Sequence, residues 1–197
     1  MDKKERLQKQ LAFALEIDKE KDIMRQTHTT SAKQENDAEH AWHMAIMLYL
    51  LREHANEMFD MNKAIIMSLI HDVVEIDAGD TYAYDTEAMA TQAQREAEAV
   101  ERLFGMLPED QYKELRALFY EFEEGVTPEA KFAKAMDNVQ PLILNDYNNG
   151  ADWRKHKVTK TKIQKRNERT KLGSQTLWEY VMKIVDDNVE KGNILDE

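Results

Sequence analysis

"KAIIMSLIHDVV", residues 63–74, decides how this chain is read. Its apolar side chains point all round a helix of 3.6 residues per turn, which predicts a central helix rather than a surface one. Yet the segment carries His71 and Asp72, with Glu75 just beyond it, where charge without a partner is costly. The same tension recurs in "AEHAWHMAIMLYLL", residues 38–51, where His40 and His43 are one turn apart near one face. Neighbouring residues on a helix, such as His71 and Asp72, point about 100° apart and can serve one ion lying between their directions. Imidazole and carboxylate suit a borderline or hard divalent cation, and a buried acid is far cheaper beside one. A further acid, Asp137, stands in the apolar run "AKFAKAMDNVQPLIL" (130–144), four residues before Pro141. That proline cannot donate to the Asp137 carbonyl, so a helix there is expected to kink at the acid.

Outward from these segments, the punctuation predicts an all-α chain. Glycines 79, 105, 125, 150, 173 and 192 and prolines 108 and 128 fall between segments of helical periodicity, and clean period-two alternation is hard to find. Thr86 reads as an N-cap and Pro108 as a first helical residue. "VTPEAKF" (126–132) offers Thr127 as N-cap with Pro128 next. The helices expected are 3–23, 36–55, 62–77, 86–105, 108–124, 127–147, 158–172 and 175–191. With 197 residues, one core and a single domain over 1–197 suffice.

Composition narrows the function. A formal net charge of −11 argues against a grip on long nucleic acid, which needs clustered cations, while a small anion held through a metal fits. The charged start "MDKKERLQKQ" leads into no long apolar segment, so neither a signal peptide nor a membrane span is expected. Cysteine is absent, which removes disulfides, thiolate ligands and a cysteine nucleophile, and a cytoplasmic location is expected.

Four elements in this order resemble the HD-domain metal-dependent phosphohydrolases, in the branch of the bacterial 5′-deoxynucleotidases: "AEHAW" around His40, the doublet His71-Asp72 followed by Glu75, "AGDTYAYD" from Ala78, and "AKAMD" ending at Asp137. The resemblance spans about residues 20–150, with the helices of 158–191 expected to pack on that core. It implies a helical bundle holding one divalent metal on His40, His71, Asp72 and Asp137, with Mn, Co, Fe, Ni and Mg all admissible. It also implies Glu75 and Asp80 as the acids that handle the attacking water, Arg25 as a phosphate contact, and often a homodimer. Two-metal members carry further histidines between the doublet and the last aspartate. Residues 73–136 contain none, so a mononuclear site is expected. Arg25 is followed by Gln26 where the deoxynucleotidases have tryptophan, so the resemblance carries the phosphate contact but not the nucleoside pocket.

The function expected is hydrolysis of a phosphomonoester, a nucleoside 5′-monophosphate first among them, by metal-activated water. The alternatives are a regulatory HD module that binds nucleotide or metal without turnover, and a helical protein without metal. His43 is expected to be a packed or hydrogen-bonded core residue. His54, His156 and the basic stretch 154–171 are expected to be solvated, and Tyr82 and Tyr84 are given no role.

Overall fold

The computed structural model describes residues 1–79 and 86–197, with residues 86–90 described through their backbone alone. Helices dominate it, as the sequence predicts, and none among the described residues is long and apolar enough to cross a membrane. Helix α1 (Lys3–Glu16) starts on Asp2, whose carboxylate accepts the Glu5 N–H at 2.8 Å. Instead of running on to residue 23, the chain tightens into a 3-10 turn over Ile17–Asp22 and enters a hairpin of β1 (Met24–His28) and β2 (Gln34–Asn36). The strands are antiparallel, pairing Met24 with Asn36 and His28 with Gln34, with an irregularity in register between. This short hairpin is an unanticipated addition to the helical fold that the sequence predicts. Strands of five and three residues are too short to display an alternation that could be read.

Asn36 caps α2 (Asp37–Leu51) in a capping box, accepting the Glu39 N–H at 2.9 Å while the Glu39 carboxylate accepts the Asn36 N–H at 3.3 Å. Helix α3 (Met61–Ile70) starts on Asp60 and stops short of the expected residue 77. Over 70–77 the backbone bonds run from i to i−3, from Val73 to Ile70, Glu75 to Asp72, Ile76 to Val73 and Asp77 to Val74, before a single turn, α4 (Glu75–Ala78), ends at Gly79 with φ 76°. His71 and Asp72 therefore occupy a tightened turn between helices, not two positions on one regular helix.

Helix α5 (Thr86–Phe104) follows; the N-cap side chain expected at Thr86 lies outside the described side chains, and Asp80, Tyr82 and Tyr84 lie outside the described residues. Pro108 precedes α6 (Glu109–Glu124) at the cap position, one residue earlier than expected. Thr127 caps α7 (Pro128–Tyr147) through the Ala130 N–H, as expected, and the helix continues past Pro141 to Tyr147. The predicted helix 158–172 is divided into α9 (Lys160–Asn167) and α10 (Thr170–Gly173), with the unanticipated α8 (Ala151–His156) before them and α11 (Gln175–Glu190) after. Glycine at 173 lets α10 close on α7, since a Cβ there would collide with the Lys131 carbonyl.

Two apolar clusters organise the molecule. One joins α2, α3, α7 and α11 through Met44, Leu48, Met67, Phe132, Met136 and Val181; the other joins the 73–74 turn, α5 and α6 through Val73, Val74, Val100, Phe104 and Phe119. The chain crosses from the first to the second between Met67 and Ile70, just before His71 and Asp72. Both apolar helices, expected to be central, contribute to the first cluster, and each also keeps an open face: Trp42, Ile46, Tyr49 and Leu50 on α2 and Ile66 and Leu69 on α3 are exposed.

Candidate metal centre

The centre is built from three segments far apart in sequence. His40 is completely buried on the first turn of α2. Its Nδ1 lies 3.0 Å from Gln140 Oε1, while Gln140 Nε2 donates to Glu35 Oε1 at 2.7 Å and lies 3.1 Å from His43 Nδ1. With acceptors on its nitrogen side, Gln140 must turn its oxygen to His40, which then donates from Nδ1 and presents the Nε2 lone pair. His43, expected to be packed or hydrogen-bonded, is half-buried on this network.

His71 is oriented by the backbone, its Nδ1 lying 2.9 Å from the Ser68 carbonyl oxygen. That carbonyl only accepts, so the proton sits on Nδ1 and Nε2 faces inward. The four inward atoms are His40 Nε2, His71 Nε2, Asp72 Oδ2 and Asp137 Oδ1. His40 Nε2 is 3.3 Å from Asp137 Oδ1 and 4.0 Å from Asp72 Oδ2; His71 Nε2 is 3.1 Å from Asp72 Oδ2 and 3.9 Å from Asp137 Oδ1. His71 Nε2 has no hydrogen-bond partner among the described residues despite its burial. Lone pairs facing lone pairs at such spacings suit ligands that share one ion through bonds of about 2.0–2.2 Å. His40, His71 and Asp72 form a cluster that could hold a metal ion.

Charge around the four atoms is arranged unequally. Burial alone would raise the Asp72 carboxyl, but His71 and Arg25 outweigh it and hold it below the usual carboxylate range. Asp137 is likewise held low against burial by His40 and Arg166. Burial would lower the His71 imidazole, yet Asp72 and Asp137 outweigh it and raise its pKa to about 9. A divalent cation held by His40, His71, Asp72 and Asp137 would take the place of that proton as the partner of these carboxylates. His40 is lowered by burial and by Arg25.

Arg25 is neither on α1 nor on the surface. It lies on β1, its side chain 14% exposed, with Nη1 donating to Asp72 Oδ2 at 2.6 Å and to Asp37 Oδ1 at 3.0 Å, and Nε 4.0 Å from Glu35 Oε2. Burial and the charge of Asp72 push the Asp37 carboxyl up to about 7, and burial raises Glu35 to about 7 against Arg25. Glu75 is buried at the start of α4, hydrogen-bonded to Asp37. A cavity of about 430 Å³ opens beside these groups, lined by Arg25, His71, Asp72, Glu75 and Asp137 together with Lys134, Trp153 and Arg166.

The sequence reading missed Glu35, Asp37, Gln140 and Arg166. An acid at the first turn of a helix, which is all Asp37 shows in sequence, marks any helix start. Arg166 belonged to a stretch read as solvated throughout; its side chain is 42% exposed but borders the cavity. His54 and His156, expected to be solvated, are half-buried.

The HD domain family matches residues 17–178. The chain is 33% identical over 112 residues to the 5′-deoxynucleotidase HDDC2 of Bos taurus, covering 56% of this chain and 53% of that protein. It is 27% identical over 114 residues to the 5′-deoxynucleotidase hdd1 of Schizosaccharomyces pombe, covering 56% of each. Its matches therefore span about half the length of these curated relatives. A solved structure, that of a predicted metal-dependent phosphohydrolase from Magnetospirillum magnetotacticum MS-1, superposes with a TM-score of 0.92 at 45% identity over 96% of this chain and 95% of that one. With the family match covering most of the sequence and a full-length likeness in structure, the chain belongs to the HD domain family.

Proposed function

We propose that the protein is a metal-dependent phosphohydrolase that cleaves a nucleoside 5′-monophosphate. The observation that carries this reading is the convergence of four lone-pair atoms of His40, His71, Asp72 and Asp137 beside a cavity that also holds Arg25 and Glu75. The names of the HDDC2 and hdd1 relatives support a nucleotide as substrate.

In this reading His40, His71, Asp72 and Asp137 hold one divalent ion. When bound, the ion supplies Lewis acidity, acidifying water and drawing negative charge from the phosphate. Glu75 orients the attacking water and takes its proton, and Asp80 is assigned as the second acid on the resemblance of its motif alone. Water oxygen bonds to phosphorus, the ester P–O bond breaks, and the leaving nucleoside oxygen is protonated. Arg25 holds Asp72 in place and faces the phosphate from the same side. The proposal includes a cytoplasmic location and a homodimer. The dimer is supported by the exposed apolar row Trp42, Ile46, Tyr49 and Leu50 along α2, which a second copy would cover.

A hydrolysis screen over nucleoside monophosphates and sugar phosphates, with Mn, Co, Ni and Mg added singly, tests the activity. Phosphate release from nucleoside 5′-monophosphates that requires added metal is expected. Tight metal binding without turnover of any monoester would instead mark a regulatory module. Light scattering of the wild type and Trp42→Glu tests the dimer, with a change from two copies to one expected.

A further inference from the structure

Among the described residues, three Lys or Arg side chains line the cavity, and they differ in what already occupies them. Arg25 donates to Asp37 and Asp72. Lys134 donates to Glu123 Oε1 at 3.0 Å and lies 4.3 Å from the centroid of the Phe122 ring. Both charges are thus spent on protein groups. Arg166, at the end of α9, has among the described residues no hydrogen bond and one ion-pair contact, 4.0 Å from Nη2 to Asp137 Oδ2. A gap of 4.0 Å exceeds a charge-assisted hydrogen bond, so the five donors of its guanidinium remain available.

Position matters as much as availability. Asp137 turns Oδ1 to His40 and His71 and Oδ2 to Arg166, so Arg166 lies on the far side of this carboxylate from the two imidazoles. Arg25 approaches the same cluster through Asp72. The two guanidiniums flank the four-atom cluster, one fully engaged and one open. The cavity lining also includes Glu75, Glu96, Glu123 and Asp152, a field that repels an anion unless a mobile cation meets it.

We infer that Arg166 is a substrate-binding residue that grips the phosphate of the monoester from the side opposite Arg25, through a bidentate contact to its non-bridging oxygens. The inference rests on the phosphohydrolase reading for the identity of the ester, but the site itself calls only for a tetrahedral oxyanion. A planar fork suits two phosphate oxygens where an ammonium offers a point charge.

The test uses the metal-loaded protein and inorganic phosphate as the probe, measured by calorimetry and as a competitive inhibitor of hydrolysis. Arg166→Gln is expected to weaken phosphate binding and raise KM for the best nucleotide by about 10–100-fold. Metal affinity, measured separately by chelator competition, should stay within about twofold, and Arg166→Lys should recover only part of the loss. Unchanged phosphate affinity and KM in Arg166→Gln overturn the inference. A loss of metal affinity that accounts for the kinetic defect also overturns it, because Arg166 would then act by positioning Asp137. If the wild type hydrolyses no monoester yet binds phosphate through Arg166, the functional reading falls and this one stands. If the loaded wild type binds no phosphate, both fall.

Discussion

Gln140 Oε1 stands 3.0 Å from His40 Nδ1, and that contact fixes which nitrogen of the imidazole faces Asp137. Both residues are completely buried, so no water can replace the bond if it is cut. Gln140→Leu should therefore weaken metal binding by about 10–100-fold, the usual cost of removing a group that orients a ligating histidine. Chelator competition on the folded variant reads this directly. Wild-type affinity would mean that packing alone orients His40.

Arg25 carries a structural load. It is the cation between Asp37 and Asp72, so Arg25→Ala leaves two buried carboxylates facing one another. Breaking such a pair costs about 3–5 kcal/mol. For a chain of this size that lowers Tm by about 10 °C. Thermal unfolding of the wild type and variant without added metal checks this, and a Tm within about 2 °C would show that protonation of Asp37 absorbs the loss.

Glu75→Gln keeps the volume and most hydrogen bonding of a buried group beside the cavity but cannot take a proton. Metal content should be retained while kcat falls by about 10²–10⁴-fold, the scale of general acid–base catalysis. Undiminished kcat would shift the proton-handling role to Asp80.

Glu20 sets a pH dependence of stability. It is buried in the 3-10 turn, and burial, reinforced by the charge of Asp72, raises its carboxyl from the ordinary 4.5 to about 7. A carboxyl raised on folding binds more protons in the native state than in the unfolded one, so its contribution to stability falls as pH climbs from 4.5 to about 7. Glu20→Gln should match the wild type near pH 4.5 and exceed it by about 1–3 kcal/mol at pH 8 in the metal-free protein. Urea unfolding at the two pH values is the measurement, and an equal difference at both would assign the effect to packing.

Chemistry placed in the wrong surroundings was legible in the sequence. His40, His71, Asp72 and Asp137 stand in apolar runs where only a partner makes them tolerable, and local rules suffice to see that. Local rules likewise located the cap at Thr127 and most helix starts, because a cap involves neighbours three residues apart. What tertiary structure decided lies between segments. The tight turn at 71–74 follows directly on the passage from one apolar cluster to the other between Met67 and Ile70, and it keeps Val73 and Val74 in the second, which periodicity cannot express. The hairpin that carries Arg25 is too short for an alternation to be seen. Gln140 reaches Glu35 across 105 residues of sequence and His40 across 100, and Arg25 reaches Asp72 across 47. Each of these residues reads as an ordinary polar side chain until the chain closes. The sequence could flag the four candidate ligands because burial of a charge is a local anomaly and their motifs resemble a known family; the groups that orient and neutralise them could be named only once folding had set their distances.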